Sequence, residues 1–301
     1  MDGYAPGTVS RGGPALQGYG GILFSVRCSL STLWDRRYAG DMTDSPATGT
    51  GPVDVPSNWS TGGAEYATYR PSYPRQVSSF LADLAPSTAL AVDVGCGTGQ
   101  LSTQLADYFD RVLAFDPSES QIAAATPCPN VTYAVAPAER LPVRDATVDL
   151  VTAAQSAHWF NLPQFYSEAR RIAAPGGVIA LVTYGVLRIS DADLQELFGR
   201  FYYDGIGRFW DPGRHFVDEG YRTLDFPFEE LEAPELSIDR DLDPEAFLGY
   251  IGTWSAVRRA EEAGRADLFR DFCADVVRIW GDNGRPRQVS WPVTVRVGRL
   301  N

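Results

Sequence analysis

The chain has 301 residues, 44% hydrophobic and 12% aromatic, enough for a sizeable core in one large domain or two small ones. All 26 of its basic residues are arginine and they face 38 carboxylates, so the net charge is −12, which argues against a nucleic-acid footprint with its basic face. With no lysine in the chain, Schiff-base, pyridoxal-phosphate and P-loop lysine chemistry are excluded.

Residues 1–63 hold 12 of the 29 glycines and five prolines. Burial in such a composition cannot offset chain entropy, so this stretch is expected to be a largely disordered extension. A short helix over 23–34 is compatible with the pattern. Met42 opens a run that itself reads like a translation start. From about Tyr66 the texture changes. Residues 77–84 have helical spacing, and 90–94 form a short apolar strand that runs into a glycine turn. A helix is expected over 102–108, strands over 112–115, 131–134 and 148–152, a helix over 164–173, and a strand over 178–184. Short apolar strands alternating with helices predict a doubly wound α/β domain with a parallel sheet. The ligands of such a sheet lie at the carboxyl ends of its strands. Beyond 184 the alternation stops and 191–221 is rich in Phe, Tyr, Trp and Gly. A strand over 236–239, helices over 248–257 and 263–279, and a last strand over 289–297 interrupted by Pro292 complete the reading.

The four cysteines form no C-x-x-C pair, so neither a zinc site nor a redox dithiol is expected, and no metal is implied. Scattered single cysteines suit a reducing cytoplasm. No run of about 18 apolar residues predicts a membrane helix.

The informative run is Ala91-Val-Asp93-Val-Gly95-Cys96-Gly97-Thr-Gly99-Gln100. Glycines between a strand and a helix permit a tight turn and a close approach of backbone to ligand. The dinucleotide fingerprint would need glycine where Gln100 stands. Asp116 closes the next strand, where a carboxylate can accept both ribose hydroxyls of a nucleoside. Further blocks follow at Ala136 to Pro142, which includes Ala138 and Glu139, at Val148 to Phe160, which includes Gln155, Ser156, His158 and Trp159, and at Arg171 to Gly177. Together these blocks resemble a class I S-adenosylmethionine-dependent methyltransferase.

The resemblance implies a Rossmann-like seven-stranded sheet in the order 3-2-1-4-5-7-6, with helical lid insertions. It divides residues 64–301 into a cofactor-binding core (64–185), a lid and substrate part (186–288) and a final strand (289–298). It places Gly95, Cys96, Gly97, Gly99 and Gln100 beneath S-adenosylmethionine, with Asp93 orienting the loop. Asp116 would hold the ribose, with Pro117, Ser118, Gln121, Ala138 and Glu139 around the adenine and Gln155 and Ser156 near the sulfonium. A narrower similarity joins Tyr66-Ala-Thr-Tyr69-Arg70-Pro71-Ser-Tyr73-Pro74 and the late Thr253-Trp254-Ser255 to the trans-aconitate methyltransferase-like group. That group methylates small molecules, some of them carboxylic acids. There Arg70 would pair with the methionine carboxylate; otherwise the segment is a Pro-rich helix entry with buried tyrosines.

Methyl transfer needs mainly the in-line placement of two partners. A carboxylate acceptor needs no base, whereas a phenol, alcohol or carbon acid does. His158 is the candidate base, or else a hydrogen-bonded wall residue. Tyr66, Tyr69, Trp159, Tyr184, Trp210, His215 and Trp254 are expected to line the acceptor, and Arg208 and Arg214 are either anion-binding or surface charges. The expected reaction is O-methylation of a small carboxylate, with S-adenosylhomocysteine as product. Alternatives are C- or N-methylation of a small molecule, a cyclase, or a non-methylating cofactor-binding protein. No nucleic-acid or membrane partner is implied, and the oligomeric state is left open.

Overall fold

Parallel strands covered on both faces must be apolar on both sets of alternating side chains. Four such runs form the middle of the sheet in the computed structural model, which describes residues 69–281 and 284–300, and a fifth parallel strand forms its edge. The extension over 1–63, the helix expected over 23–34 and Tyr66 lie outside those residues. The strands are β1 (Leu90–Val94), β2 (Arg111–Asp116), β3 (Val131–Val135), β4 (Val148–Ala154), β5 (Ala173–Tyr184), β6 (Arg188–Ile189), β7 (Glu230–Leu231), β8 (Leu236–Leu242) and β9 (Arg287–Arg299). The order β3-β2-β1-β4-β5-β9 is continued by β8, with β6 and β7 as short additional partners of β9. Counting the seven long strands, this is the expected 3-2-1-4-5-7-6 order, with β9 antiparallel to both neighbours.

Side-chain alternation divides the core between the two faces of the sheet. Ala91, Leu150 and Val178 belong to one buried cluster, while their chain neighbours Val92, Val151 and Ile179 belong to the other. The first cluster is covered by α1 (Arg75–Leu84) and by the later helices. The second is covered by Phe165, Tyr166 and Ala169. Between the strands run α2 (Ser102–Leu105), α3 (Glu119–Ala123), which the sequence pattern did not announce, and α4 (Leu162–Ile172). The segment after β5 contributes α5 (Ala192–Gly199), α6 (Arg214–Asp218), α7 (Pro244–Gly252), α8 (Ser255–Glu262) and α9 (Ala266–Trp280).

Three expectations are corrected. The helix expected over 102–108 ends at Leu105, after which the N–H groups of Asp107 and Tyr108 bond three residues back as the chain turns toward β2. The helix expected over 248–257 is two helices. Asp243 caps the first, accepting from the Ala246 N–H at 2.8 Å, and Trp254 breaks the run with an extended backbone. That break lets the Trp254 ring pack against Phe198, Tyr202 and Tyr250. Pro292 does not interrupt β9. Its carbonyl accepts from the Gly185 N–H at 2.9 Å, on the edge where β5 has ended and β6 has not begun. The N–H that proline lacks falls in that gap, where no ladder partner is required. No helix among the described residues is long and apolar enough to cross a membrane.

Candidate active site

The loop after β1 is tied to the next strand through its backbone. The N–H groups of Gly95 and Cys96 both donate to the Phe115 carbonyl, at 2.7 and 3.0 Å. Gly99 has φ +91°, and a Cβ there would meet the Tyr133 hydroxyl at 2.3 Å, so both backbone and space require glycine. Gly97 has φ +56°, and a Cβ there would make only ordinary contacts, with Gln121 Oε1 at 3.7 Å and Gln100 Oε1 at 3.8 Å. Beneath the loop the buried Asp93 carboxylate accepts from Ser102 Oγ at 2.6 Å and Thr152 Oγ1 at 2.8 Å. Burial pushes its pKa up to about 6 in spite of these two donors. Cys96 is buried and its thiol is pushed further up by the same cause, so it stays a neutral filler.

Asp116 closes β2 beside Gly97. Its Oδ2 accepts from the Gly97 N–H and its Oδ1 from the Ser118 N–H, both at 2.9 Å. Burial raises its pKa, and these two N–H groups oppose the rise. A carboxylate offers about four lone-pair sites, so each oxygen keeps room for a further donor such as a vicinal hydroxyl. Ser118 caps α3 by accepting from the Gln121 N–H. The Gln121 side chain is thereby brought to Gly97 with Oε1 buried and without a hydrogen-bond partner. A cradle over Gly97, a carboxylate with spare acceptor sites and an orphaned amide oxygen fit a nucleoside with ribose hydroxyls and a nearby N–H group.

At the end of β4, Gln155 takes a left-handed φ of +54°. Its Nε2 donates to the Tyr184 carbonyl at 2.9 Å, and its Oε1 accepts from Thr183 Oγ1 at 2.8 Å. Ser156 turns its hydroxyl onto the Val94 carbonyl at 2.9 Å and packs over Gly95. His158 follows, with Nδ1 2.8 Å from the Tyr221 hydroxyl. Burial first, and the Arg214 cation second, push its pKa down to about 3. Arg214 Nε donates to the Tyr202 hydroxyl and to Asp218 Oδ1, both at 2.9 Å, and its guanidinium lies 4.4 Å over the Trp210 ring. Arg70 donates to the Tyr184 hydroxyl at 3.3 Å and lies 5.7 Å over the Tyr250 ring. Burial and the neighbouring Tyr184 push Tyr250 up to about 12, against the pull of both Arg70 and Arg214, so the two cations flank one tyrosine.

The expected site residues are therefore distributed unevenly. The loop, Asp116, Ser118 and Gln121 meet at the ends of β1 and β2, while Arg70, Tyr184, His158, Trp210 and Trp254 gather around Arg214 and Tyr250. Pro117 is exposed, Ala138 is buried, and Glu139 accepts from the Asn161 N–H at 2.9 Å, joining two loops. Tyr69 packs against Gly249. His215 is not brought to the cluster: it is exposed, and its Nδ1 bonds the Pro212 carbonyl of its own turn at 2.6 Å. Trp159 neighbours His158 but is 43% exposed, and Arg208 is exposed beside Phe209. The pairing of Tyr221 with His158 had no local signal beyond Gly220, whose φ of +63° precedes the φ of +60° at Tyr221.

A methyltransferase domain family matches residues 92–181. A provisionally named methyltransferase of Dictyostelium discoideum is 32% identical over 238 residues, covering 77% of this chain and 90% of that protein. A solved structure from Anaeromyxobacter dehalogenans, provisionally named a type II methyltransferase, is 47% identical with a TM-score of 0.71. It covers 77% of this chain and 98% of its own. A malonyl-[acyl-carrier protein] O-methyltransferase of Dechloromonas aromatica is 38% identical over 125 residues, which is 38% of this chain and 45% of that protein. Kinship over nearly the whole length of such proteins agrees with the strand order and with the cradle at Gly97 and Asp116: the chain belongs to the class I S-adenosylmethionine-dependent methyltransferases.

Proposed function

We propose that this enzyme transfers a methyl group from S-adenosylmethionine to a carboxylate oxygen of a small organic acid. The observation that carries the reading is the Arg214 guanidinium, which lies 4.4 Å over the Trp210 ring with its terminal nitrogens unbonded among the described residues; burial first and this cation second push the neighbouring His158 down in pKa, to about 3. Proton transfer to a base so weak has little driving force at neutral pH, which disfavours phenol and alcohol acceptors. A carboxylate is already ionised and needs no base, and the Arg214 cation favours an anion. Two likenesses support the choice: that of residues 66–74 to the trans-aconitate methyltransferase-like group, and the partial match to a relative named a malonyl-[acyl-carrier protein] O-methyltransferase.

On this reading Asp116 accepts the ribose hydroxyls, Gly97 leaves space for the nucleoside, and Gln121 Oε1 takes an N–H donor. Asp93, Gly95, Gly99 and Ser156 hold the loop, and Arg70 takes the methionine carboxylate. When bound, the sulfonium supplies an electrophilic methyl. The acceptor oxygen bonds that carbon as the C–S bond breaks, and the electron pair stays on sulfur. The products, a neutral ester and S-adenosylhomocysteine, form without proton transfer.

Calorimetry with S-adenosylmethionine on the wild type and Asp116→Ala tests the cofactor half. The variant is expected to bind about 100-fold more weakly, the size of a lost pair of charged hydrogen bonds. Label from the methyl group is expected in an alkali-labile product with carboxylic acids and in none with phenols. Label entering phenols alone would sink the carboxylate reading.

A further inference from the structure

Three donor side chains, Arg214, Trp210 and His158, gather at the acceptor side of the site. Arg214 spends Nε on Tyr202 and Asp218, and its two terminal nitrogens make no hydrogen bond among the described residues. Trp210 Nε1, in the ring that Arg214 covers, is buried without a partner. His158 is the third. The Tyr221 hydroxyl has His158 Nδ1 at 2.8 Å, while the backbone N–H groups of Ala157 and His158 point at the phenol oxygen. The neighbouring Thr183 hydroxyl is given to Gln155 Oε1. The phenol's own proton is assigned to Nδ1, the ring nitrogen 2.8 Å away. Assigned from this network, the proton of the neutral imidazole sits on Nε2, which makes no hydrogen bond among the described residues. Tyr221 is itself held. It is fully buried, with φ +60°, its N–H bonded to the Phe216 carbonyl at 2.6 Å and its carbonyl to Arg296 Nη1 at 2.8 Å. A left-handed non-glycine residue persists where its surroundings over-determine it, often at functional sites.

We infer that Arg214, Trp210 and His158 form the subsite that grips the acceptor's carboxylate, and that Tyr221 is a positioning residue that makes His158 a donor rather than a base. The inference rests on the carboxylate reading above and deepens it. The count is chemically sufficient. A carboxylate has about four lone-pair sites; a site each for Arg214, Trp210 and His158 leaves one free to form the O–C bond. A phenolate or amine could not use such a set of donors and still present a lone pair so placed.

The test uses the full chain with trans-cinnamate and hexanoate as probe acids. Arg214→Gln is expected to raise KM for the acid about 100-fold while affinity for S-adenosylmethionine stays within about twofold. Added guanidinium is expected to restore part of the activity of Arg214→Ala, which a merely structural role would not allow. Tyr221→Phe, which keeps the ring, is expected to lower kcat about tenfold without changing cofactor affinity. If Arg214→Gln fails to fold, Trp210→Phe carries the test, with a KM for the acid about tenfold higher. An Arg214→Gln enzyme that esterifies the acids with unchanged KM overturns the subsite and leaves the carboxylate reading standing. A rise in KM for S-adenosylmethionine instead assigns Arg214 to the cofactor and overturns the subsite as well. Calorimetric binding of the acids to the S-adenosylhomocysteine complex, without ester formation by the wild type, overturns the transfer reading but not the subsite. No binding of either acid to that complex overturns the subsite itself.

Discussion

Asp93 shows how one buried side chain sets the floor of the cofactor loop and a cost that varies with pH. Its carboxylate joins α2 to β4 through Ser102 and Thr152, yet burial raises its pKa from 3.8 to about 6. An acid whose pKa is raised on folding favours the folded state most when protonated. That contribution is complete below about 3.8 and lost as pH rises through about 6. Asp93→Asn removes the titration. The unfolding free energy of the variant relative to wild type is expected to rise by up to ~3 kcal/mol across that window, from the size of the shift. Urea melts at a series of pH values check this, and a difference independent of pH would contradict it. That Asp93 belongs to the site was legible in the sequence from its place before the glycines. Its two hydroxyl partners were not, because Thr152 lies 59 positions away.

At the scale of the element, the strand–loop–helix unit separates glycines that build the fold from one that leaves room for a ligand. Gly99→Ala places a methyl group against Tyr133, whose hydroxyl is itself held by the Thr126 carbonyl at 2.9 Å, on a backbone with φ +91°. It is expected to cost about 2–4 kcal/mol of stability. Gly97→Ala meets no protein atom closer than 3.7 Å. It is expected to cost about 1 kcal/mol while weakening S-adenosylmethionine binding more than about tenfold. Thermal melts and calorimetry on both variants separate the two roles, and equal losses of stability would refute the distinction. The loop was readable because glycine spacing is a local signal. The break at Trp254 was not, because the residues on either side of it are good helix formers. What ends the helix there is the burial of the indole against Phe198, Tyr202 and Tyr250.

Over the whole molecule the sheet grades from a covered centre to an open edge. Nearly every residue of β1, β4 and the later half of β5 is buried, whereas β3 is an edge strand with Val135 49% exposed. Amide exchange in β1, β4 and β5 is expected to require global unfolding, while β3 exchanges by local opening. Saturating S-adenosylmethionine is expected to slow the central strands further, by about 2.7 kcal/mol of added stability at 100 times Kd. Hydrogen-exchange mass spectrometry reads both effects, and equal protection of β3 and β4 would contradict the gradient.

The alternation of short apolar runs with helical spacing determined a doubly wound parallel sheet, and the glycine run after its first strand determined the cofactor side, because those signals sit within a few residues of one another; the strand order followed from the family resemblance. The acceptor side is a product of tertiary structure. His158 meets Tyr221 across 63 positions, and Arg214 reaches the same place only because the segment after β5 folds back over the carboxyl ends of the strands. No local pattern encodes such a meeting. Whether an arginine is a surface charge or a buried anion grip depends on what packs around it, and here that is Trp210, Tyr202 and Asp218.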